Sequence, residues 1–69
     1  MSTAAAHLLR LPEVIALTGM QRSTIYDSIR AGTFPAPVHL TATARAWVEG
    51  EVHAFIAARI AARDAGAGR

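Results

Sequence analysis

The sequence predicts a mainly α domain of three helices with a small β-hairpin wing, built around a helix-turn-helix. Three observations carry this. Thr18 to Gly32 reads TGMQRSTIYDSIRAG: an apolar helix runs into Gly19, the chain turns through Met20 and Gln21, and a second helix opens at Arg22. Within that helix Ile25 and Ile29 stand four residues apart and share a face. Ser23, Asp27 and Arg30 point away from it on a wheel of about 100° per residue. Beyond a proline-rich segment and two alternating runs, Val52, Phe55, Ile56 and Ile60 repeat at helical spacing. Two helices across a tight glycine-containing turn, with a polar outer face, describe a helix-turn-helix. The function that this motif points to is binding of double-stranded DNA.

Each element has its own local cause. Met1 to Ala6 lack periodicity and are expected to fray, so the N-terminal residues 1–7 are taken as flexible. His7 to Arg10, with Leu8 and Leu9, can add a short extended segment before Pro12. Pro12 suits the first helical turn, where its missing N–H costs nothing, and Glu13 there complements the helix dipole. Leu11, Val14, Ile15 and Thr18 fall at helical spacing, so the first helix spans Pro12 to Thr18. Gly19, able to take positive φ, ends it.

The second helix spans Arg22 to Ala31, with Gln21 standing where Ser, Thr or Asp would cap better. Gly32 stops it. Thr33-Phe34-Pro35-Ala36-Pro37 must run extended, because prolines at alternate positions restrict themselves and their predecessors. Phe34 is read as a buried anchor. Val38 and Leu40 alternate with His39 as in a strand, and Ala46 to Val48 forms the returning strand. The tip between them, Thr41-Ala42-Thr43-Ala44-Arg45, is polar and cationic, without the Gly, Asn or Asp that usually makes a tight hairpin turn. The third helix spans Glu49 to Arg63. Glu49 and Glu51 lie in its first turn, Arg59 and Arg63 in later ones, and Trp47 joins its apolar stripe. Asp64 to Arg69 reads as a disordered tail, leaving Leu8 to Arg63 as the folded domain.

Composition narrows the function. Sixty-nine residues allow one small domain, whose single core supplies no more than about 3–5 kcal/mol of net stability. There is no Cys, which excludes disulfides and Cys-based zinc modules. His7, His39 and His53 lack paired-ligand spacing, so no metal site and no cofactor are expected. No apolar run approaches the ~20 residues that span a bilayer, and no signal peptide opens the chain. The expectation is a soluble, cytoplasmic, nucleoid-associated protein with no membrane partner. The net charge is +2, and all the basic residues are Arg. Arg matches phosphates and guanine edges bidentately, although Lys-free, Ala- and Arg-rich usage also follows from genome composition. Carboxylates are scattered over separate elements, with no Ser/His/Asp or phosphate-loop pattern, so no catalytic residue and no enzyme are expected.

If the second helix is a recognition helix, its N-terminal residues enter the major groove. Gln21 can pair bidentately with adenine and Arg22 with guanine, whereas Arg30 suits phosphate. The bland alternative for both arginines is a solvated helix face. Ser23 and Thr24 can reach a phosphate or serve only the local backbone. Tyr26 either donates its hydroxyl to phosphate or packs under the wing. Thr41 and Thr43 are phosphate candidates on the wing. Arg45 can reach a minor groove or backbone, or instead pair with Glu49 or Glu51.

The stretch LPEVIALTGMQRSTIYDSIRAGTFPAPVHL, followed by AWVEGEVHAFIAAR, resembles the AlpA family of small phage-type DNA-binding regulators, relatives of the excisionases and of MerR-type winged helix-turn-helix domains. Its most specific pieces are Arg22 to Tyr26, Gly32 to Pro37, and Trp47 with Glu51-Val52. The chain departs from the family pattern at Gln21, usually Ser, and at Asp27, commonly basic. It departs also at the Thr41–Thr43 tip, where Gly and Arg are frequent, and at Phe55, often Trp. The resemblance implies a MerR/excisionase-like winged helix-turn-helix that regulates transcription. Alternatively, it implies an excisionase that bends DNA for a site-specific integrase. A third reading is a protein-binding adaptor. Further copies on adjacent sites are expected partners on DNA, because one domain this small buries little DNA surface.

Overall fold

The computed structural model of the chain describes residues 7–66. Met1–Ala6, expected to fray, and residues 67–69 of the expected tail lie outside the described residues. Along the chain run β1 (Leu8–Leu9), α1 (Leu11–Thr18), α2 (Arg22–Ala31), β2 (Val38–His39), β3 (Arg45–Val48) and α3 (Glu49–Ala65). The fold is the mainly helical winged helix-turn-helix that the sequence predicts.

The wing is a three-stranded antiparallel sheet in the order β1-β3-β2. The extended segment before Pro12 supplies its third strand, with Leu8 opposite Val48 and Leu9 opposite Trp47. On the other side Val38 faces Ala46 and His39 faces Arg45. His7 belongs to this arrangement rather than to a loose N-terminus. Its carbonyl accepts the Glu49 N–H at 2.8 Å, and its Nδ1 lies 3.1 Å from Glu49 Oε1.

One residue from nearly every element closes the core. Val14 of α1, Ile25 of α2, Phe34 of the connecting segment, Trp47 of β3 and Val52 of α3 are buried together. Trp47 sits among them completely enclosed, and its Nε1–H donates to the Pro35 carbonyl at 3.1 Å. That bond is what allows a polar edge into so small a core. The Tyr26 ring meets Trp47 edge-on with centroids 6.3 Å apart, and Phe34 meets Phe55 likewise at 4.6 Å. Phe34 is thus the anchor its flanking prolines suggest.

Helix boundaries follow local chemistry. The Arg10 backbone N–H donates to Glu13 Oε1 at 2.8 Å, so Glu13 closes the first turn of α1. Gly19 (φ 72°) and Gly32 (φ 80°) both take the left-handed conformation that ends their helices. Between α1 and α2, the Thr18 hydroxyl donates to the Val14 carbonyl at 2.8 Å and accepts the Met20 N–H at 3.1 Å. This keeps the turn tight.

Three expectations change. Leu40 is not in the strand: β2 ends at His39, and the Leu40 N–H turns back to the Ala44 carbonyl at 2.8 Å. Ile60, read as part of the core stripe, is 45% exposed. The body formed by α1, α2 and the wing is too short to cover α3 past Ile56. Asp64 and Ala65 continue α3 instead of beginning a tail.

Candidate nucleic-acid interface

Side chains on α2 divide into rows, because residues four apart stack on one another. Arg22 and Tyr26 form the row beside the wing. They line a cleft of about 370 Å³ together with Thr43 and Arg45 of the wing and Arg10, Leu11 and Pro12 at the start of α1. Four of the residues singled out from sequence are therefore brought together: Arg22, Tyr26, Thr43 and Arg45. The Tyr26 ring packs edge-on against Trp47 of the wing, as its packing alternative has it, and the residue also lines the cleft.

Arg10 is the cleft residue that the sequence reading missed. It is exposed and extended (φ −85°, ψ 166°) at the N-cap of α1. It shares the cleft lining with Arg45 because β1 pairs with β3, placing Leu9 opposite Trp47. The local signal, a basic residue at the end of a two-leucine extended run, names no partner.

Gln21 is the N-cap of α2 and makes no side-chain cap hydrogen bond. The poor capper expected there leaves an exposed carboxamide at the tip of the helix. Ser23 is exposed on the outer row with Asp27 and Arg30. Thr24 falls on the opposite side of α2 from Arg22. It lines a separate groove of about 620 Å³ with Ser28, Thr33 and residues of α3, away from the wing.

Arg30 is not a free cation. Its guanidinium is paired with the Asp27 carboxylate one turn earlier. Thr41, a phosphate candidate by sequence, spends its hydroxyl oxygen on the wing tip, accepting the N–H of Thr43 at 3.2 Å and of Ala44 at 3.0 Å. A threonine thereby does the work of the missing Gly, Asn or Asp. Arg45 does not take the carboxylate partner that was its alternative. Glu49 instead faces His7 at 3.1 Å and His53 at 3.4 Å. Among the described residues Arg10, Arg22 and Arg45 form no ion pair, whereas Arg63 is held by Asp64 at 2.9 Å. The described residues contain no cluster of His or carboxylates able to hold a metal. They also contain no helix long and apolar enough to cross a membrane.

Comparison with known proteins agrees with this architecture. The family profile of prophage CP4-57 regulatory protein (AlpA) matches residues 7–60, from β1 into α3. The chain is 52% identical over 58 residues to uncharacterized protein ORF88 of Enterobacteria phage P4, covering 84% of this chain and 66% of that protein. It is 38% identical over 61 residues to the DNA-binding transcriptional activator AlpA of Escherichia coli (strain K12), covering 80% of this chain and 87% of the relative. The chain thus spans about two thirds of the phage P4 relative's length. No solved structure matches. With most of its length matched by the family profile, the chain belongs to the AlpA family of prophage regulatory proteins.

Proposed function

We propose that this protein binds double-stranded DNA sequence-specifically and acts as a small transcriptional regulator, in the cytoplasm and on the nucleoid, without enzymatic activity. The observation that carries the reading is the convergence of the first turn of α2 with the wing. Arg22 and Tyr26 on one side, and Thr43 and Arg45 on the other, share a cleft with no carboxylate in its lining. A recognition helix and a wing must present their contacts on one side of the body to engage one stretch of duplex. The E. coli relative, described as a DNA-binding transcriptional activator, supports the same reading.

In this reading Gln21 meets base edges, Ser23 stands beside it at the start of the helix, and Arg22, Arg45 and Thr43, which share the cleft, meet backbone. Thr24, Arg30 and Thr41 contribute less. Thr24 faces the groove beside α3, Arg30 is paired with Asp27, and the Thr41 hydroxyl serves the turn. Several copies on adjacent sites supply the area that one small domain lacks.

The test is fluorescence anisotropy on duplexes tiled across the protein's gene neighbourhood, with competitor DNA and a salt series. A regulator neutralising about 4 to 6 phosphates gives one standout duplex and a log–log salt slope near −4 to −5. A standout duplex at a recombination site, rather than beside a promoter, assigns the excisionase role with an integrase as partner. Uniformly weak binding to every duplex refutes the proposal in favour of a protein-binding adaptor.

A further inference from the structure

We infer that Arg10, Arg22 and Arg45 form a single phosphate site, in which one backbone phosphate of the duplex is gripped by three guanidiniums from three different elements. The inference rests on the DNA-binding reading and adds to it both a residue, Arg10, and an occupant for the cleft.

The three cations come from separate elements: the β1–α1 junction, the first residue of α2, and the first residue of β3. They line one cleft whose other walls are Leu11, Pro12, Tyr26 and Thr43. No carboxylate lines it, and none of the three arginines is ion-paired among the described residues. The nearest acidic residue in sequence to Arg10 is Glu13, whose Oε1 already accepts the Arg10 backbone N–H. In a chain whose net charge is only +2, three guanidiniums in one cleft lining concentrate positive charge there, and an anion between them is favoured.

The chemistry of the walls selects the anion. Guanidinium forks match tetrahedral oxyanions bidentately. The Tyr26 and Thr43 hydroxyls add neutral donors, and Leu11 and Pro12 add an apolar wall against which a sugar can rest. The charged groups here are all donors, which suits a group whose free oxygens are all acceptors. A phosphodiester is the group that uses them all. Because Arg22 opens α2 while Arg45 and Thr43 belong to the wing, this phosphate sets the angle between recognition helix and wing on the DNA. Arg10 completes the grip from the body of the domain.

The experiment combines variants with neutralised phosphates. The standout duplex is prepared with single methylphosphonate substitutions along each strand and titrated with wild type, Arg10→Ala, Arg10→Lys and Arg45→Ala. Arg10→Ala is expected to fold as wild type, since it is the Arg10 backbone, not its side chain, that Glu13 caps; circular dichroism checks this. The variant should bind standout and competitor duplexes alike about tenfold more weakly, as for loss of one charge-assisted hydrogen bond, with a salt slope shallower by roughly 0.9. Arg10→Lys should restore the slope and only part of the affinity. One methylphosphonate position should weaken wild type strongly, and the same position should have little further effect on Arg10→Ala and on Arg45→Ala.

If Arg10→Ala keeps wild-type affinity and slope, or if Arg10→Ala and Arg45→Ala are desensitised at different phosphates, the shared site is overturned while DNA binding stands. If wild type shows no steeply salt-dependent duplex binding at all, the proposed function fails, and this inference with it.

Discussion

Arg30 and Asp27 neutralise each other on the outer face of α2, one turn apart and both exposed. The pair leaves that stretch of the outer row without net charge.

Replacing Asp27 with Asn should therefore strengthen DNA binding. The substitution releases Arg30 and removes a carboxylate from the surface that the proposed function turns toward phosphates. The expected gain is severalfold on all duplexes, with a salt slope steeper by about 0.9 if Arg30 then contacts one phosphate. Thermal stability should barely change, because an exposed ion pair contributes only about 0–1 kcal/mol. By the same argument Arg30→Ala should cost much less affinity than Arg22→Ala. Anisotropy titrations over a salt series check both statements, and equal losses for the two arginine variants would refute them.

Trp47 is the residue the fold can least spare. It is fully enclosed, touches Tyr26, and donates to the Pro35 carbonyl. Truncation to Ala is expected to cost about 3–5 kcal/mol, which is the whole net stability of about 3–5 kcal/mol for a domain of this size. Trp47→Ala should then show no cooperative transition in a urea melt. Trp47→Phe keeps an aromatic ring but loses the hydrogen bond, so it should remain folded with an unfolding free energy lowered by about 1–3 kcal/mol.

At the wing tip, Thr41→Val removes the oxygen that accepts two backbone N–H groups. The amides of Thr43 and Ala44 lose their partner and should exchange with solvent faster, while the amides of β3 keep their protection. Hydrogen exchange followed by NMR reads this directly. Thr41→Ser, which retains the hydroxyl, should behave as wild type.

Ile60 and Val52 lie on one apolar stripe of α3 yet differ in burial: Val52 is fully enclosed and Ile60 is 45% exposed. Val52→Ala should lower stability by about 1–3 kcal/mol, the cost of emptying buried methyl groups from a packed site. Ile60→Ala should stay within about 1 kcal/mol of wild type, since solvent already covers much of the side chain. Paired thermal melts decide it, and equal destabilisation would mean that Ile60 has a packing partner.

The sequence by itself determined the order of the elements, their bounds to within a residue or two, and which fold they make. Gly19 and Gly32 stop helices because positive φ is a property of one residue, and Pro12 sits in the first turn of α1 because only there does its missing N–H cost nothing. The Ile25/Ile29 spacing and the alternation around Trp47 assign core faces, since helix and strand periods are local. The bounds of α2 came out as read, Arg22–Ala31.

The tertiary structure alone decided which exposed side chains stand together. Arg10 joins Arg22 and Arg45 only through the pairing of β1 with β3. Thr24 is turned from the wing by two residues' rotation around α2. Ile60 is left uncovered because the rest of the body ends before it. Arg30, by contrast, meets Asp27 within one helical turn, and yet the choice between that partner and solvent is a side-chain matter that spacing leaves open. Periodicity reports the face on which a residue lies. The neighbours that share that face come from chain segments far apart in sequence, and packing brings them there.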